Sequence, residues 1–161
     1  MQNKVYIKNL GEMKRHESIP SWLVAEDVSV PFFDNKKLDC IVDLGHEYDE
    51  TNIDLQKVEV AVENFLKLDS SYRESISNLV YKNYRAVVDN CGIDEIGVKS
   101  ESHVWDYVSP SMIYIKQESH FENRKYVGMD IFVTIDCKCA WEEEHGLQIV
   151  FRMGNKDIEV R

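Results

Sequence analysis

The stretch Val127–Trp141, VGMDIFVTIDCKCAW, carries the clearest structural signal in the sequence. Its apolar residues fall on every second position, which is the period of a β-strand that buries one face. They are Val127, Met129, Ile131, Val133, Ile135, Cys137, Cys139 and Trp141. The polar residues between them are Asp130, Thr134, Asp136 and Lys138. This polar set predicts a solvated opposite face, which is typical of an antiparallel sheet.

The residues that follow the long strand continue the β pattern. The charged run Glu142–Gly146 predicts a turn, and the alternation within Leu147–Met153 predicts the returning strand. A second tight turn at Gly154 precedes a last strand that ends near Val160. The C-terminal part of the chain is therefore predicted to consist of strands joined by short turns.

Two helices are predicted before this β-rich part. Ile53–Leu68 has apolar residues at helical spacing, and Thr51 or Asn52 can cap its N-terminus. Its apolar stripe is formed by Leu55, Val58, Val62, Phe65 and Leu66. Because only two or three residues separate this segment from the next helix, the two helices are expected to form a hairpin that covers one face of the sheet.

The second predicted helix begins near Ser71 and ends at Gly92. Ser71 and Glu74, three residues later, fit a capping box, and Gly92 is a stop signal. The buried stripe is predicted to contain Ile76, Leu79, Val80, Tyr84, Val87 and Val88.

Shorter strand signals occur elsewhere in the chain. Val28–Asp34 and Lys37–Leu44 predict a hairpin, although Pro31 interrupts the first segment. Met112–Lys116 predicts a short strand, and residues 1–20 predict a peripheral strand followed by a polar connection. The sequence thus predicts the α+β class, with residues 1–161 as a single domain in which a two-helix hairpin packs on one face of an antiparallel β-sheet.

Composition limits the classes of partner. The chain has 29 acids, 19 Lys and Arg residues and a net charge of −10, so it repels nucleic acids and anionic membranes and favours a basic protein as partner. Because its N-terminus lacks the apolar core of a signal peptide and no run of about 18 apolar residues occurs, we expect it to stay in the cytoplasm. The sequence leaves the oligomeric state open.

The acids are unevenly distributed. Between Leu38 and Gln56 there are six acids and no lysine or arginine. An exposed segment of this kind can attract a cationic surface, and an aromatic side chain within it can supply contact energy. The predicted partner-binding residues are Asp43, Glu47, Tyr48, Asp49, Glu50 and Asp54.

A catalytic site is the alternative interpretation. Glu143 or Glu144 next to His145 combines a carboxylate with an imidazole, which suits a small hydrolytic or metal-dependent enzyme. No two histidines have the i, i+4 spacing of a helical zinc site, and the sequence contains no glycine-rich nucleotide-binding loop and no G-x-S-x-G motif. We therefore expect no cofactor, no metal and no catalysis.

The four cysteines are expected to be free thiols in apolar or strand-like surroundings. Cys137 and Cys139 lie on the same face of the predicted long strand, so both are expected in the core. Their C-x-C spacing differs from the C-x-x-C spacing of redox sites.

Three motifs resemble an uncharacterised family of bacterial proteins. The stretch Trp141–Arg152, WEEEHGLQIVFR, is similar to the C-terminal signature of that family. Pro31–Asp34 and Asn64–Leu68 resemble two earlier family motifs. The resemblance implies membership of a domain family of unknown function, without an activity or a set of site residues.

The predicted function combines these observations. Small acidic bacterial proteins of this kind are similar in size and charge to the immunity proteins that block toxins. The leading hypothesis is an immunity protein that neutralises a basic, nuclease-type toxin by direct binding. The alternatives are the small enzyme that uses His145 and a structural or regulatory subunit.

Overall fold

The computed structural model describes residues 4–46, 48 and 52–161. Within this part, eight strands form one sheet in chain order, and two main helices pack against it. The strands are β1 Lys4–Ile7, β2 Gly11–Arg15, β3 Trp22–Val30, β4 Lys36–Asp43, β5 Val108–Glu122, β6 Lys125–Cys139, β7 Glu142–Arg152 and β8 Lys156–Val160. The helices are α1 Leu55–Leu66 and α2 Tyr72–Cys91, with short 3-10 helices at Pro31–Phe33 and Glu101–Tyr107.

The sheet is mixed because one strand pair is parallel. Asp39–Asp43 of β4 runs alongside Met112–Lys116 of β5 in the same direction, whereas the other neighbouring strands in the described sheet are antiparallel. A parallel pair needs a long crossover connection, and α1 and α2 lie within that connection. The α+β class with two helices against the sheet is confirmed, while the expectation of a purely antiparallel sheet was wrong at this pair.

The core lies between the helices and one face of the sheet. Phe151 of β7 contacts Phe65 of α1 edge to face at 5.3 Å between ring centroids, and Phe32 approaches Phe151 at 5.6 Å. Tyr84 of α2 is fully buried, and its ring packs 5.4 Å from that of Trp141. These ring contacts join both helices to the C-terminal part of the sheet. Edge-to-face aromatic pairs contribute to stability beyond the area that they bury.

The helix termini differ from the predicted caps. Asp54, and not Asn52, caps α1 by accepting a hydrogen bond from the Lys57 amide at 3.1 Å. Thr51, the other predicted cap, lies outside the described residues. Ser71 occupies the N-cap position of α2, but its hydroxyl hydrogen-bonds the Asp69 carboxylate instead, so the predicted capping box does not form.

The turn between β6 and β7 also differs from the prediction. The chain reverses at Ala140–Trp141, with Cys139 opposite Glu142, while residues 143–146 form a bulge within β7. Trp141 is buried and donates a hydrogen bond from its indole nitrogen to Asn83 Oδ1 at 2.8 Å. Burial of the Trp141 indole against α2 places the turn before Glu142. The prediction from the charged residues alone therefore put the turn too late in the sequence.

The hairpin of β5 and β6 extends beyond the rest of the sheet. β4 pairs with β5 only as far as Lys116, and β7 pairs with β6 only from Phe132 onward. Residues 117–130, called the arm below, therefore form a two-stranded ribbon in which the strands pair with each other. Val127 and Met129 lie on this arm and are 56% and 38% exposed, so the predicted burial of the long strand is correct only from Ile131 onward.

The N-terminal segment belongs to the sheet. β1 and β2 form an antiparallel hairpin that buries Ile7 and Met13, where a single strand and a connection were predicted. The predicted antiparallel hairpin is present between β3 and β4, but the prediction of Val28–Asp34 as its first strand was correct only for Val28–Val30, since Pro31–Phe33 form a 3-10 helix and β3 begins at Trp22. Within the described ranges, no helix is both long and apolar enough to cross a membrane.

We predict that Val133→Asp unfolds the protein or lowers its free energy of unfolding by more than about 4 kcal/mol, because Val133 is fully buried and a charge there has no partner. The matched control is Val127→Asp on the same strand, which should change stability by less than about 0.5 kcal/mol because that side chain is exposed. Urea denaturation followed by tryptophan fluorescence measures both. Equal destabilisation by the two variants would contradict the described burial.

We also predict that Gly146→Ala is strongly destabilising. Gly146 has a φ of +66°, and an added Cβ would lie 2.0 Å from the Cys137 carbonyl oxygen. Gly11→Ala is the control, because Gly11 has a φ of +80° but no neighbour within 4 Å, so it should cost only about 1 kcal/mol. Thermal unfolding should show a several-fold larger loss for Gly146→Ala, and similar losses would rule out the close approach in the bulge.

Candidate functional site

A cleft of about 600 Å³ lies where β4 ends and its pairing with β5 stops, and it is called the β4–β5 cleft below. Because the two strands are parallel, the C-terminal end of β4 at Asp43 lies opposite Lys116, the residue of β5 after which the arm begins. The described residues that line the cleft come from the segment after β4, the start of the arm and the approach to α1. Those used below are Asp43, His46, Tyr48, Lys116, Glu118 and Met129.

Asp43 fixes the wall of the cleft. Its carboxylate accepts a hydrogen bond from the Tyr114 hydroxyl and another from the Gly45 amide at 2.9 Å. Burial, followed by the hydrogen bond to Asp43, raises the pKa of Tyr114 well above its usual range. The phenol therefore stays a neutral donor at physiological pH, and the end of β4 is held to β5 through side chains as well as backbone pairing.

Three consecutive residues of β5 line the cleft where the arm begins, and the lysine among them is neutralised by a nearby glutamate. Lys116 forms an ion pair with Glu118 two residues along β5. Gln117 accepts a hydrogen bond from the Asp54 amide at 3.1 Å and donates one to the Asn52 carbonyl at 3.4 Å. The base of the arm is thereby joined to the start of α1.

Tyr48 lines the cleft with an exposed ring. Its carbonyl oxygen accepts a hydrogen bond from Arg15 Nη1 at 3.0 Å, and the same guanidinium nitrogen donates to the Pro20 carbonyl at 2.8 Å. The backbone at Tyr48 is thus tied to β2, which orients the ring at the cleft.

The predicted partner-binding residues have separate positions. Asp43 and Tyr48 line the cleft, whereas Asp54 is the N-cap of α1, where its charge interacts favourably with the helix dipole. Glu47, Asp49 and Glu50 lie outside the described residues. The lining residues Lys116, Glu118 and Met129 were not predicted, because they come from strands about 65 to 90 residues away and only the parallel pairing joins them to the acidic segment.

The alternative catalytic cluster lies in the bulge of β7. His145 is 82% exposed, and its Nδ1 is 3.5 Å from Glu142 Oε1. The carboxylate nearest to the ring is therefore that of Glu142, and not that of Glu143 or Glu144. In residues 4–46, 48 and 52–161, no group of three His, Cys, Asp or Glu side chains is placed to hold a metal ion.

Three of the four cysteines are buried. Cys137 and Cys139 lie in the core as predicted, and Cys40 joins them, but Cys91 is exposed at the end of α2. Burial, with a smaller contribution from Asp39, raises the pKa of Cys40 to about 12. Burial also raises the pKa of Cys137 and of Cys139. These three thiols stay protonated at neutral pH and are poor nucleophiles.

We predict that Cys91 alone reacts rapidly with a thiol reagent such as Ellman's reagent in the native protein, and that all four cysteines react after unfolding. The thiolate attacks the disulfide of the reagent and releases its aryl thiolate, and burial disfavours the thiolate at the other three positions. Cys91→Ser is the control and should remove the native signal. A deficit of two thiols in the unfolded, unreduced chain would reveal a disulfide, and stoichiometric zinc in the purified protein would contradict the expectation of a metal-free chain.

Comparison with known proteins identifies one family. A family model described as "Domain of unknown function (DUF6985)" matches residues 9–161. No curated protein and no solved structure matches the chain. The interpretation of the cleft therefore depends on its own geometry.

Proposed function

This chain belongs to the DUF6985 family, and we propose that it is a protein-binding module whose β4–β5 cleft receives a basic protein partner, the partner being a toxin that it neutralises. The observation that carries the proposal is the position of the cleft. Seven of its described lining residues, from Asp43 to Ile53, belong to the segment in which six acids occur without a lysine or arginine. The family assignment itself supplies no activity.

Charge supports a cationic occupant. The described lining has two acids, Asp43 and Glu118, and one lysine, Lys116, so it keeps one net negative charge although Glu118 is paired with Lys116 and Asp43 accepts a hydrogen bond from Tyr114. Glu47, Asp49 and Glu50 are adjacent in sequence to the lining residues His46 and Tyr48. A lysine or arginine of the partner would find carboxylates there together with an aromatic ring, which also attracts cations.

Preorganisation supports specific binding. The hydrogen bonds of Arg15 to Tyr48 and of Tyr114 to Asp43 hold two sides of the cleft before a partner arrives. A site that is already ordered loses less conformational entropy on binding. Tyr48 can then act as an anchor, since tyrosine is enriched among the residues that dominate binding energy.

The proposal that the toxin is a nuclease is based on electrostatic complementarity and on analogy with immunity proteins. A nuclease needs a cationic groove for its phosphate backbone, and an acidic protein with a net charge of −10 can cover such a groove while long-range attraction accelerates encounter. Direct blockage of the groove would neutralise the toxin without any catalysis by the inhibitor.

The enzyme hypothesis is less well supported by contacts. The His145 side chain is 82% exposed, and its ring lies 3.5 Å from Glu142. A ring in this position is not enclosed as the base of a substrate pocket would be. The combination of Glu143 or Glu144 with His145 stays a prediction, and loss of a measured hydrolytic activity in His145→Ala would support it.

We predict that the triple variant Glu47→Lys, Asp49→Lys and Glu50→Lys associates more slowly with its partner, by roughly tenfold or more at low salt. The difference should shrink at high salt, because exposed charges are screened over roughly 8 Å at physiological ionic strength. The measurement is the association rate, across a salt series, against a purified basic toxin chosen as candidate from the neighbouring reading frames. A toxin-protection assay in cells accompanies it.

A control with the same change in net charge separates local from global effects. Glu95, Glu101 and Asp106 are exposed acids on the connection between α2 and β5, so their reversal to lysine should slow association much less. If the cleft triple variant binds and protects as well as the parent at every salt concentration, the acidic segment is only a solvated surface. Equal effects of both triple variants would indicate general attraction without a specific site.

A further inference from the structure

The arm carries an apolar cluster that the rest of the described chain does not cover. Phe121 is 58% exposed and Tyr126 is 60% exposed, and their rings contact each other edge to face at 5.9 Å. Val127 and Met129 add exposed aliphatic surface on the same ribbon. A two-stranded hairpin is marginally stable by itself, and clustered exposed apolar side chains mark interaction sites.

The position of the arm is held at its base. Lys57 of α1 donates a hydrogen bond to the Met129 carbonyl at 2.9 Å and lies 3.8 Å from Asp130 Oδ1. Gln117 is bonded to the segment before α1, as described above. The arm therefore projects from the domain at the rim of the β4–β5 cleft, which Gln117 and Met129 both line.

The tip of the arm carries two cations, Arg124 and Lys125, against one acid, Glu122, which lies opposite Lys125. Asn123 and Arg124 form its turn with positive φ angles of 50° and 66°. Arg124 and Lys125 are exposed, and neither forms an ion pair with a described residue. A pair of cations at the tip thus accompanies the described acids Asp43 and Glu118 in the cleft at the base, within a chain of net charge −10.

We propose that the arm is a self-association surface whose occupant is a second copy of this chain. The six residues from Gln117 to the tip span about 20 Å at the rise of a β-strand. Two arms that lie side by side in opposite directions about a two-fold axis place each tip at the base of the other arm. Arg124 and Lys125 of each copy then meet the β4–β5 cleft of the other copy, and the apolar clusters cover one another.

The two-fold symmetry of the proposed dimer limits the assembly to two copies. Both copies use the same surface, so two complementary contacts form at once and no open chain results. The inference does not depend on the proposed function, although the two share the β4–β5 cleft. A basic partner that enters the cleft would compete with the arm tip of the second copy.

The test is sedimentation velocity and light scattering of the purified full chain, from low to high micromolar concentration, at low and high salt. The parent should form a dimer that weakens as salt increases. Arg124→Glu with Lys125→Glu should weaken dimerisation by roughly tenfold or more. Phe121→Ser with Tyr126→Ser should weaken it at every salt concentration, because it removes the apolar contact.

A matched control and a charge exchange make the test specific. Lys82→Glu with Lys99→Glu changes the net charge equally at exposed positions away from the arm and should leave the dimer nearly unchanged. The tip-reversed chain and the chain with Glu118→Lys, which reverses a described acid of the cleft lining, should each dimerise at least tenfold more weakly than the parent, whereas their equimolar mixture should form a heterodimer. A parent that is monomeric at every concentration overturns the proposal, as does a dimer that tip reversal leaves intact or a mixture that fails to associate. None of these results requires the toxin.

Discussion

The parallel pairing of β4 with β5 is the constraint on which the rest of this structure depends. Two parallel neighbours cannot be joined by a tight turn, so the intervening chain must cross over the sheet. The crossover contains α1 and α2, whose apolar stripes cover one face of the sheet and complete the core. The same pairing places Asp43, the last residue of β4, opposite Lys116, after which the arm begins, and the β4–β5 cleft forms there.

Side-chain contacts around this pair have two roles. The Tyr114 hydroxyl bonds the Asp43 carboxylate, and the Trp22 ring lies edge to face with Tyr114 at 5.9 Å. These contacts support the pairing from the face opposite the helices. They also remove Asp43 from the set of freely available charges, so the attraction of a cation to the cleft must depend on its other acids. An acid that appears to be a binding residue in the sequence is, in the folded protein, partly a structural residue.

The cleft and the arm are neighbouring parts of one surface. The cleft has acids and a tyrosine ring, while the arm has an aromatic pair and a cationic tip. Acidic and cationic parts of a single chain attract copies of that chain as well as other proteins, and the balance between the two depends on concentration and on relative affinity. Under the two proposals, a second copy and a basic partner would compete for the same cleft, although neither proposal depends on the other.

The sequence by itself determined the elements whose period was long and regular. The alternation of Val133 and its neighbours and the stripe of α2 around Tyr84 predicted a buried strand and helix, since burial of one face imposes these periods directly. It also identified the acidic segment and the family motifs. Only the tertiary structure decided the parallel pairing, because pairing direction depends on where distant segments pack. Contacts between distant segments also decided where the chain turns at Trp141, how exposed Val127 is and which residues of β5 line the cleft. The spacing of residues along the sequence does not indicate such contacts.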